Sequence, residues 1–391
     1  MELFTSSRAR SFRACQRQHY LHYVMGYCTV ASRAPLRFGT AFHACIEQYW
    51  LCGTEAAVAR SRQAFDESLD PYDAAKLRAM VYAYCLGWDV RRVGYVERVL
   101  GVEREYKLPM INPLTGRASR TWERAGKVDV IVLLCDGRLA VIEHKTSAEP
   151  AAPGSAYRHR LLLDPQVSEY HDGIFRAEGH TTRGADVILY DVAVKPGYEP
   201  YSATPDDQRK YTQAKSRVCP ECKKKKQATP PPHTVAVLDE ESGYETRHEC
   251  SEGRIVTDPG GRLYANQRER DETPEEYEVR CLEIIQADYD RFFQVVDVVR
   301  LEDERREYLL DVWNIAQQAH VSARTGVAPR NPDACFRYGS PCDFWDVCTK
   351  VASIDDTSRF VQKLKTNPEL SMEATAHGVQ DDANGEADHA E

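Results

Sequence analysis

Long hydrophobic runs are missing from this chain of 391 residues, and none approaches the length needed to span a bilayer. The first residues, MELFTSSRARSFRACQRQHY, are charged and polar, and they lack the apolar stretch and small-residue cleavage site of a signal peptide. Internal repeats and phosphate-binding Gly-rich loops are also missing, which excludes a solenoid and a nucleotide-driven motor. We therefore expect a cytoplasmic protein that makes no membrane contact.

A positive net charge is missing too, since the chain carries −9 at pH 7. Seven of its acids lie in residues 367–391, which contain no lysine or arginine. This segment is predicted to be a disordered acidic tail, and without it the net charge is −2. A nearly neutral body is compatible with a nucleic-acid ligand, because local basicity decides such binding. Local basicity is present at Arg8, Arg10, Arg13 and Arg17.

The stretch AVIEHKTS, residues 140–147, has the pattern of a buried strand that ends in charged groups. Because side chains alternate between the two faces of a strand, Glu143 and Lys145 share one face. One explanation is an exposed ion pair at a strand end, which would contribute little to stability. If a second carboxylate lies nearby, Glu143 and Lys145 would instead form part of a functional site.

A hairpin brings that second carboxylate within reach. The run GKVDVIVLL precedes Asp136 and Gly137, and an Asp-Gly between two β-branched runs is a strong hairpin signal. A two-residue turn would place Asp129 and Glu143 on opposite faces of the sheet. We predict instead a three-residue loop, residues 135–137, in which Gly137 is left-handed and Asp129 lies opposite Glu143.

This register gathers two carboxylates and one ammonium group on one face. Carboxylate oxygens are ligands that Mg²⁺ and Mn²⁺ prefer. A lysine beside such an ion can orient and deprotonate an attacking water and stabilise charge on a phosphate. Asp129, Glu143 and Lys145 therefore predict a site for phosphodiester hydrolysis.

An Asp followed, on the next strand, by Glu-x-Lys resembles the core of the PD-(D/E)xK nuclease superfamily. The surrounding segments resemble its RecB-type exonuclease branch, which includes CRISPR-associated and phage-encoded exonucleases of bacterial or phage-infected cells. The resemblance implies an α/β fold, with a restriction-endonuclease-like mixed β-sheet flanked by helices. It also implies that Asp129 and Glu143 bind the metal and that Lys145 assists the water. The backbone carbonyl of His144 would be an additional metal ligand.

Two helices carry further residues that resemble this family. FGTAFHACIEQYW has apolar residues at helical spacing, and His43 beside them matches the metal-binding histidine of the family. A lone histidine on an apolar helix is otherwise most often a buried core residue. In DPQVSEYHDGIF, Gln166 and Tyr170 share a helix face, where the family has a Gln and a Tyr near the DNA and the catalytic lysine. That spacing alone is typical of a solvated helix face.

Thirteen cysteines in a chain without a signal peptide indicate reduced thiols, and clustered cysteines then indicate metal binding. CFRYGSPCDFWDVC places Cys335, Cys342 and Cys348 together, one ligand short of a four-thiolate site. The RecB-type branch often holds a 4Fe-4S cluster with one N-terminal and three C-terminal cysteines, and Cys15 is at the matching place. The six residues between Cys335 and Cys342 exceed the usual spacing. The resemblance implies a cluster that closes a nuclease domain of residues 1–366, with zinc as the alternative.

A second group of soft ligands lies in the middle of the chain, in a Cys-Pro-x-Cys turn followed by a His-x-Cys pair. The predicted zinc ligands are Cys219, Cys222, His248 and Cys250, with His233 as a further candidate. We predict an inserted zinc-ribbon-like element over residues 212–257. Its four consecutive lysines, Lys223 to Lys226, form a basic patch suited to a nucleic-acid backbone, together with Arg209, Lys210, Lys215 and Arg217. The alternative is a disordered basic loop whose cysteines are incidental.

The remaining patterns complete an α/β architecture. A helical part is predicted over residues 7–100, and strands are predicted at residues 102–108, 127–134, 139–144 and 185–194. Two long helical patterns follow, the first with Thr273 as its N-cap and Glu276 three residues on.

Together the patterns predict a DNA exonuclease that depends on Mn²⁺ or Mg²⁺ and acts on single-stranded ends. An alternative from a different class is a nucleic-acid-binding or assembly subunit, with little nuclease activity, of a recombination, replication or CRISPR adaptation complex. A third is a purely structural zinc protein.

Overall fold

The structure, a computed structural model, describes residues 1–30, 34–63, 69–178, 184–225, 233–238, 245–337, 340–363, 367 and 370. The chain divides into two compact units. The first consists of Met1–Gly197 with Glu278–Glu391, and the second is Tyr198–Tyr277, which contains the segment predicted as an insertion. Within the described residues, no helix is both long and apolar enough to cross a membrane.

In chain order the helices are α1 (Ser6–Ala14), α2 (Gln16–His19), α3 (Ala34–Cys52), α4 (Thr54–Arg62), α5 (Pro71–Arg92), α6 (Ala156–Leu162), α7 (Pro165–Glu178), α8 (Pro220–Lys225), α9 (Pro274–Ala287), α10 (Tyr289–Phe292), α11 (Glu302–Thr325) and α12 (Trp345–Cys348). Several helices begin where a side chain caps their free N–H groups, as Thr5, Asp70 and Ser155 do before α1, α5 and α6. The predicted capping box of α9 is confirmed. Thr273 and Glu276 exchange backbone-to-side-chain hydrogen bonds of 3.1 and 3.3 Å.

The strands follow the β-branched runs of the sequence. They are β1 (Glu2–Phe4), β2 (Tyr27–Thr29), β3 (Val96–Ile111), β4 (Ala118–Leu134), β5 (Leu139–Ser147), β6 (Val187–Val194), β7 (Lys215–Val218), β8 (His233–Leu238), β9 (Glu245–Ser251), β10 (Arg254–Asp258), β11 (Phe293–Val298), β12 (Phe336–Arg337), β13 (Ser340–Pro341) and β14 (Phe360–Gln362). Strand β11 was not predicted, because its sequence FQVVDV directly follows a helical pattern.

A central sheet of six strands has the order β1-β4-β5-β6-β11, and β3 pairs with the other edge of β4. β1 pairs with β4 in parallel, as β5 does with β6, while the other pairs are antiparallel. The prediction of a mixed sheet is therefore confirmed. Strand β4 has 17 residues and pairs with three strands, β1, β3 and β5, so its pairing registers determine the geometry of this part of the sheet.

Helices flank both faces of this sheet. On one face, Tyr49 of α3 and Tyr84 and Trp88 of α5 are fully buried in the main core. Each such aromatic side chain contributes about 2 kcal/mol through burial. On the other face, α7 packs against β3 and β6, and α11 packs on α7. This arrangement confirms the expected α/β architecture and leaves the end of β5 between α3 and α7.

The second unit contains an antiparallel sheet of four strands in the order β7-β10-β9-β8. Its small core consists of Val235 and Ile255 together with three buried cysteines. In the first unit, two residues of the predicted acidic tail are described. Asn367 and Leu370 are both buried, and Leu370 packs against Leu3. The rest of the predicted disordered tail lies outside the described residues.

Candidate functional site

The hairpin of β4 and β5 has the predicted register. Val130 pairs with Ile142, and the N–H of Leu134 donates to the carbonyl of Arg138 at 2.8 Å, so the loop itself consists of residues 135–137. Gly137 has a φ of +82°, a left-handed conformation that glycine adopts without a Cβ clash. Continued by one step, the register places Asp129 opposite Glu143 on the same face of the sheet. The prediction of the three-residue loop is confirmed.

The ammonium group of Lys145 is held by side chains from two elements. It donates to Glu143 Oε1 at 2.5 Å and to Gln166 Oε1 at 3.0 Å. The amide of Gln166 donates to the same carboxylate oxygen at 2.9 Å and to the hydroxyl of Tyr170 at 2.6 Å. Tyr170 donates in turn to the carbonyl of Lys127 at 3.0 Å. Helix α7 therefore fixes the position of Lys145 through both residues that the sequence singled out.

Asp129 and His43 meet at the end of the hairpin. The backbone N–H of His144 donates to Asp129 Oδ2 at 2.8 Å, and Nδ1 of His43 lies 3.6 Å from the same oxygen. Gly39, one turn before His43, lets α3 approach β5 closely, because a Cβ there would lie 3.2 Å from Thr146 Oγ1. The close approach brings His43 to the carboxylates.

The protonation states suit a cation site. Burial, and after it the charge of Glu143, raises the pKa of Asp129 from 3.8 to about 7. Burial, reinforced by nearby positive charge, lowers the pKa of His43 to about 3, so its imidazole is neutral, as a metal ligand must be. Burial disfavours the ammonium form of Lys145, but Glu143 outweighs this effect and raises the pKa of Lys145.

Two buried carboxylates and a neutral imidazole fit a divalent cation. The second oxygen of Glu143, Oε2, is buried and has no hydrogen-bond partner in the described part of the chain. An unpaired buried oxygen is costly, and so is the repulsion between two carboxylates. A cation would satisfy the oxygen and offset the repulsion. Asp129, Glu143 and His43 could therefore hold Mg²⁺ or Mn²⁺.

The ring of His144 is turned away from the carboxylates. It lies on the opposite face of β5, where its Nδ1 is 3.2 Å from Asp191 Oδ2. Tyr84 and Trp88 donate to the same oxygen at 2.8 and 2.9 Å. Burial lowers the pKa of His144, but Asp191 outweighs this effect and raises it. Only the backbone of His144 therefore borders the site. Asp191, which the sequence analysis missed, binds the His144 ring on the opposite face of β5.

A third carboxylate that the sequence analysis missed borders Asp129. The register of β3 and β4 places Glu103 opposite Asp129, on the other side from Glu143. Glu103 has a φ of +52°, which is uncommon for a residue other than glycine, and its carboxylate pairs with Lys127. No local pattern predicts this position, because it depends on the pairing of two long strands.

In the second unit, four soft ligands place their donor atoms within 4.8 Å of one another, and they are Cys219, Cys222, His233 and Cys250. The Sγ atoms of Cys222 and Cys250 are 3.7 Å apart, and His233 Nε2 is 3.6 Å from two of the sulfurs. Ligands about 2.3 Å from a tetrahedral zinc ion are about 3.8 Å apart. The set therefore fits a closed zinc site. No other group of His, Cys, Asp or Glu in the described ranges converges this closely.

The structure does not bring the predicted ligand His248 to the three sulfurs, and His233 lies there instead. Strands β8 and β9 pair His233 directly with Cys250, whereas His248 pairs with Val235. Two residues along a strand span about 6.6 Å, and His248 lies two cross-strand pairs from Cys250, too far to reach the sulfurs. Its ring is instead bonded through Nδ1 to the carbonyl of Val256 at 3.0 Å.

In the first unit, one pocket is lined by Cys15, Cys335, Cys342 and Cys348, together with Phe344 and Trp345. The hairpin of β12 and β13 lies between Cys335 and Cys342 and brings these two cysteines together despite their long sequence spacing. The N–H of Cys342 donates to the carbonyl of Cys335 at 2.7 Å. Burial raises the pKa of Cys342 and Cys348, and the thiol of Cys15 adds to both shifts. The four thiols converge less tightly than those of the second unit, as suits a cluster whose irons each take one thiolate.

Comparison with protein families agrees with the geometry of the first unit. A model for the PD-(D/E)XK nuclease superfamily matches residues 4–349 of the chain. The match includes the hairpin with Asp129, Glu143 and Lys145, and members of this superfamily are usually metal-dependent nucleases. No curated protein matches the chain. On the family match and the mixed sheet flanked by helices, the chain belongs to the PD-(D/E)XK nuclease superfamily.

Proposed function

We propose that the chain is a deoxyribonuclease that depends on Mg²⁺ or Mn²⁺ and acts as an exonuclease on single-stranded DNA ends. The observation that carries this proposal is the convergence of Asp129, Glu143 and Lys145 at the end of one hairpin. His43 lies beside Asp129, and Gln166 lies beside Lys145. A buried carboxylate pair with a neighbouring ammonium group suits phosphodiester hydrolysis better than a purely structural role.

Each side chain has a separate task in this proposal. The residues that would hold the cation are Asp129, Glu143 and His43. When bound, Mg²⁺ or Mn²⁺ supplies positive charge that offsets the negative charge developing on the phosphate. Lys145 orients the attacking water by a hydrogen bond and adds a second positive charge. Gln166 restricts the movement of Lys145, and Tyr170 restricts Gln166, so the ammonium group is positioned before substrate arrives.

The four thiols of the first unit, Cys15, Cys335, Cys342 and Cys348, would hold a 4Fe-4S cluster that joins the N-terminal and C-terminal parts of the unit. This assignment, together with His43, Gln166 and Tyr170, supports membership of the RecB-type branch with CRISPR-associated and phage exonucleases. The protein would then work in the cytoplasm of a bacterial or phage-infected cell, alongside recombination, replication or CRISPR partners. Iron, sulfide and a brown colour in protein purified without oxygen support the cluster, and a colourless protein with zinc in this pocket contradicts it.

The second unit would hold one zinc ion through Cys219, Cys222, His233 and Cys250. Three thiolates and one imidazole complete a tetrahedral shell and leave no open position for a substrate. Zinc would therefore stabilise the fold of this unit and take no part in hydrolysis.

The nuclease proposal is tested with end-labelled single-stranded, double-stranded and circular DNA in Mg²⁺, in Mn²⁺ and in EDTA. We expect the wild type to release nucleotides from linear single strands only when a divalent cation is present. Lys145→Ala should lower the rate by about a thousandfold, because it removes the group that orients the water. Lys107→Ala is the matched control, since Lys107 lies in the same sheet and pairs with Glu123.

Three outcomes would contradict parts of the proposal. Cleavage of circular single strands would exclude a pure exonuclease. Equal rates for wild type and Lys145→Ala would exclude the assigned role of this residue. A wild type that binds DNA but is as inert as the variant would favour the alternative, a nucleic-acid-binding or assembly subunit.

A further inference from the structure

The N-terminal part of the chain is basic over a long stretch. Residues 3–46 contain six arginines and no aspartate or glutamate. Stretches without any acid are unexpected in a chain whose net charge is −9. Helix α1 carries three of the arginines, and the structure gives them different surroundings.

Arg8 is used inside the fold. It is buried, its guanidinium donates to Glu2 and to the carbonyl of Leu3 at 2.9 Å, and it lies 4.4 Å from the ring centroid of Trp122. These contacts account for Arg8 as a structural residue that attaches α1 to the sheet. The exposed arginines of α1, Arg10 and Arg13, require another explanation.

Arg10, in the middle of α1, lies close to the candidate active site. Its Nη2 is 3.4 Å from Asp164 Oδ1 and 3.5 Å from Gln166 Oε1. Because Gln166 also accepts from Lys145, one side chain separates Arg10 from the ammonium group of the site. A phosphate next to the one being cleaved could therefore contact Arg10.

Arg13, one turn further along α1, faces an open cleft of about 380 Å³. The polar residues that line this cleft are Arg13, Gln16, Gln318, Arg330 and Asn331. No carboxylate is among the lining residues, although α11, which forms one wall, carries many acids elsewhere. Arg13 is exposed and makes no ion pair within the described part of the chain. Guanidinium and amide groups without acids are the donors that bind phosphate and sugar oxygens.

We propose that this cleft binds the sugar-phosphate backbone of the single-stranded DNA whose end lies at the hairpin. The inference rests on the proposed nuclease function and adds the path of its substrate. The strand would run from Lys145, past Arg10, to Arg13 and the amides of the cleft. Cys15 and Arg330 line both this cleft and the pocket of the four thiols, so the path ends beside that pocket. Contacts to the backbone alone predict binding that depends on salt and tolerates any base sequence.

The test measures binding in EDTA, where no cleavage occurs, by the fluorescence anisotropy of a labelled thymidine strand of about 20 nucleotides. We expect Arg13→Gln to raise Kd about fivefold at low salt, and to reduce the slope of log Kd against log salt by about 0.7, the value for one lost phosphate contact on a single strand. Arg13→Lys, which keeps the charge, should bind like the wild type. Gln318→Glu puts a carboxylate into the cleft and should weaken binding about tenfold.

Arg306→Gln is the matched control, because Arg306 is an exposed arginine of α11 outside the cleft lining. The proposal is overturned if Arg13→Gln and Gln318→Glu bind as the wild type does, or if Arg306→Gln weakens binding as much as Arg13→Gln. Failure of the nuclease proposal remains distinguishable from this result. That failure would appear as an inert wild type in the cleavage assay, whereas the anisotropy measurement requires no cleavage.

Discussion

The carboxylate site of the first unit and the cysteine and histidine site of the second unit are built by different rules. Asp129, Glu143 and Lys145 come from one hairpin, so strand alternation and the length of one turn decide where they point. The candidate zinc ligands come from the start of α8 and from two strands that pair with each other. One hairpin with a clear turn signal therefore specifies the core of the first site, whereas the second depends on a helix and on the register of a different strand pair.

The two sites also differ in how their charges are balanced. Glu143 has a cationic partner in Lys145 and a hydrogen-bond donor in Gln166, so its charge is balanced by polar groups that can also contact a substrate. The thiols of Cys222 and Cys250 are 3.7 Å apart and are buried in the small apolar core of the second unit. The first arrangement suits chemistry on a bound phosphate, and the second suits a permanent ion.

The largest effect should come from removing charge at the carboxylate site. Asp129→Asn keeps the shape and can still accept from the N–H of His144, but it takes away one anionic ligand. We expect cleavage to fall by about a thousandfold and Mn²⁺ binding to weaken in calorimetry. Asp136→Asn, at the exposed turn of the same hairpin, should leave both unchanged. Equal losses in the two variants would mean that the hairpin fold, and not a ligand, was disturbed.

The zinc site gives a second comparison with its own control. His233→Ala removes a ligand and should weaken zinc binding by at least about 100-fold, measured by competition with a chelator. His248→Ala changes a histidine of the neighbouring strand that pairs with Val235 and not with Cys250, and it should retain the wild-type affinity. The opposite ranking would restore His248 as the ligand. Neither change should alter metal-dependent cleavage in the first unit.

The affinity of the carboxylate site for a cation should depend on pH. Burial and Glu143 raise the pKa of Asp129 to about 7, so the metal-free site binds a proton below this pH and a cation must displace it. His43, with a lowered pKa of about 3, adds no proton in this range. We expect Mn²⁺ affinity to be about tenfold weaker at pH 6 than at pH 8, measured by calorimetry. Affinity that is constant over this range would contradict the proton competition.

The smallest effect should come from the support behind the lysine. Tyr170→Phe removes the donor to the carbonyl of Lys127 and the acceptor for the amide of Gln166. A loss of about 1 kcal/mol corresponds to about a fivefold lower kcat. Tyr82→Phe, at an exposed position of α5, is the control and should leave kcat unchanged. An unchanged kcat in Tyr170→Phe would separate this tyrosine from the positioning of Lys145.

Much of the carboxylate site could be predicted from the sequence because its determinants are local. The Asp-Gly turn and the period of two along β5 were sufficient for the register of Asp129 and Glu143. His43, Gln166 and Tyr170 came from the family resemblance, and the structure brings all three to the hairpin.

The errors and omissions share one physical cause, which is the register of strand pairs that the sequence analysis did not predict. His233 rather than His248 faces the sulfurs because β8 and β9 pair in one particular register. Glu103 reaches Asp129 only through the long ladder of β3 and β4. Asp191 bonds to His144 across two parallel strands. No spacing within one segment contains this information.

The proposed cation site is tested most directly in crystals of the full chain soaked in Mn²⁺, by an anomalous difference map. We expect one peak within about 2.2 Å of oxygens from both Asp129 and Glu143, with a ring nitrogen of His43 completing the protein ligands. A map without that peak, in which Glu143 remains bonded to Lys145 and Gln166 as it is without metal, would contradict the proposed cation site.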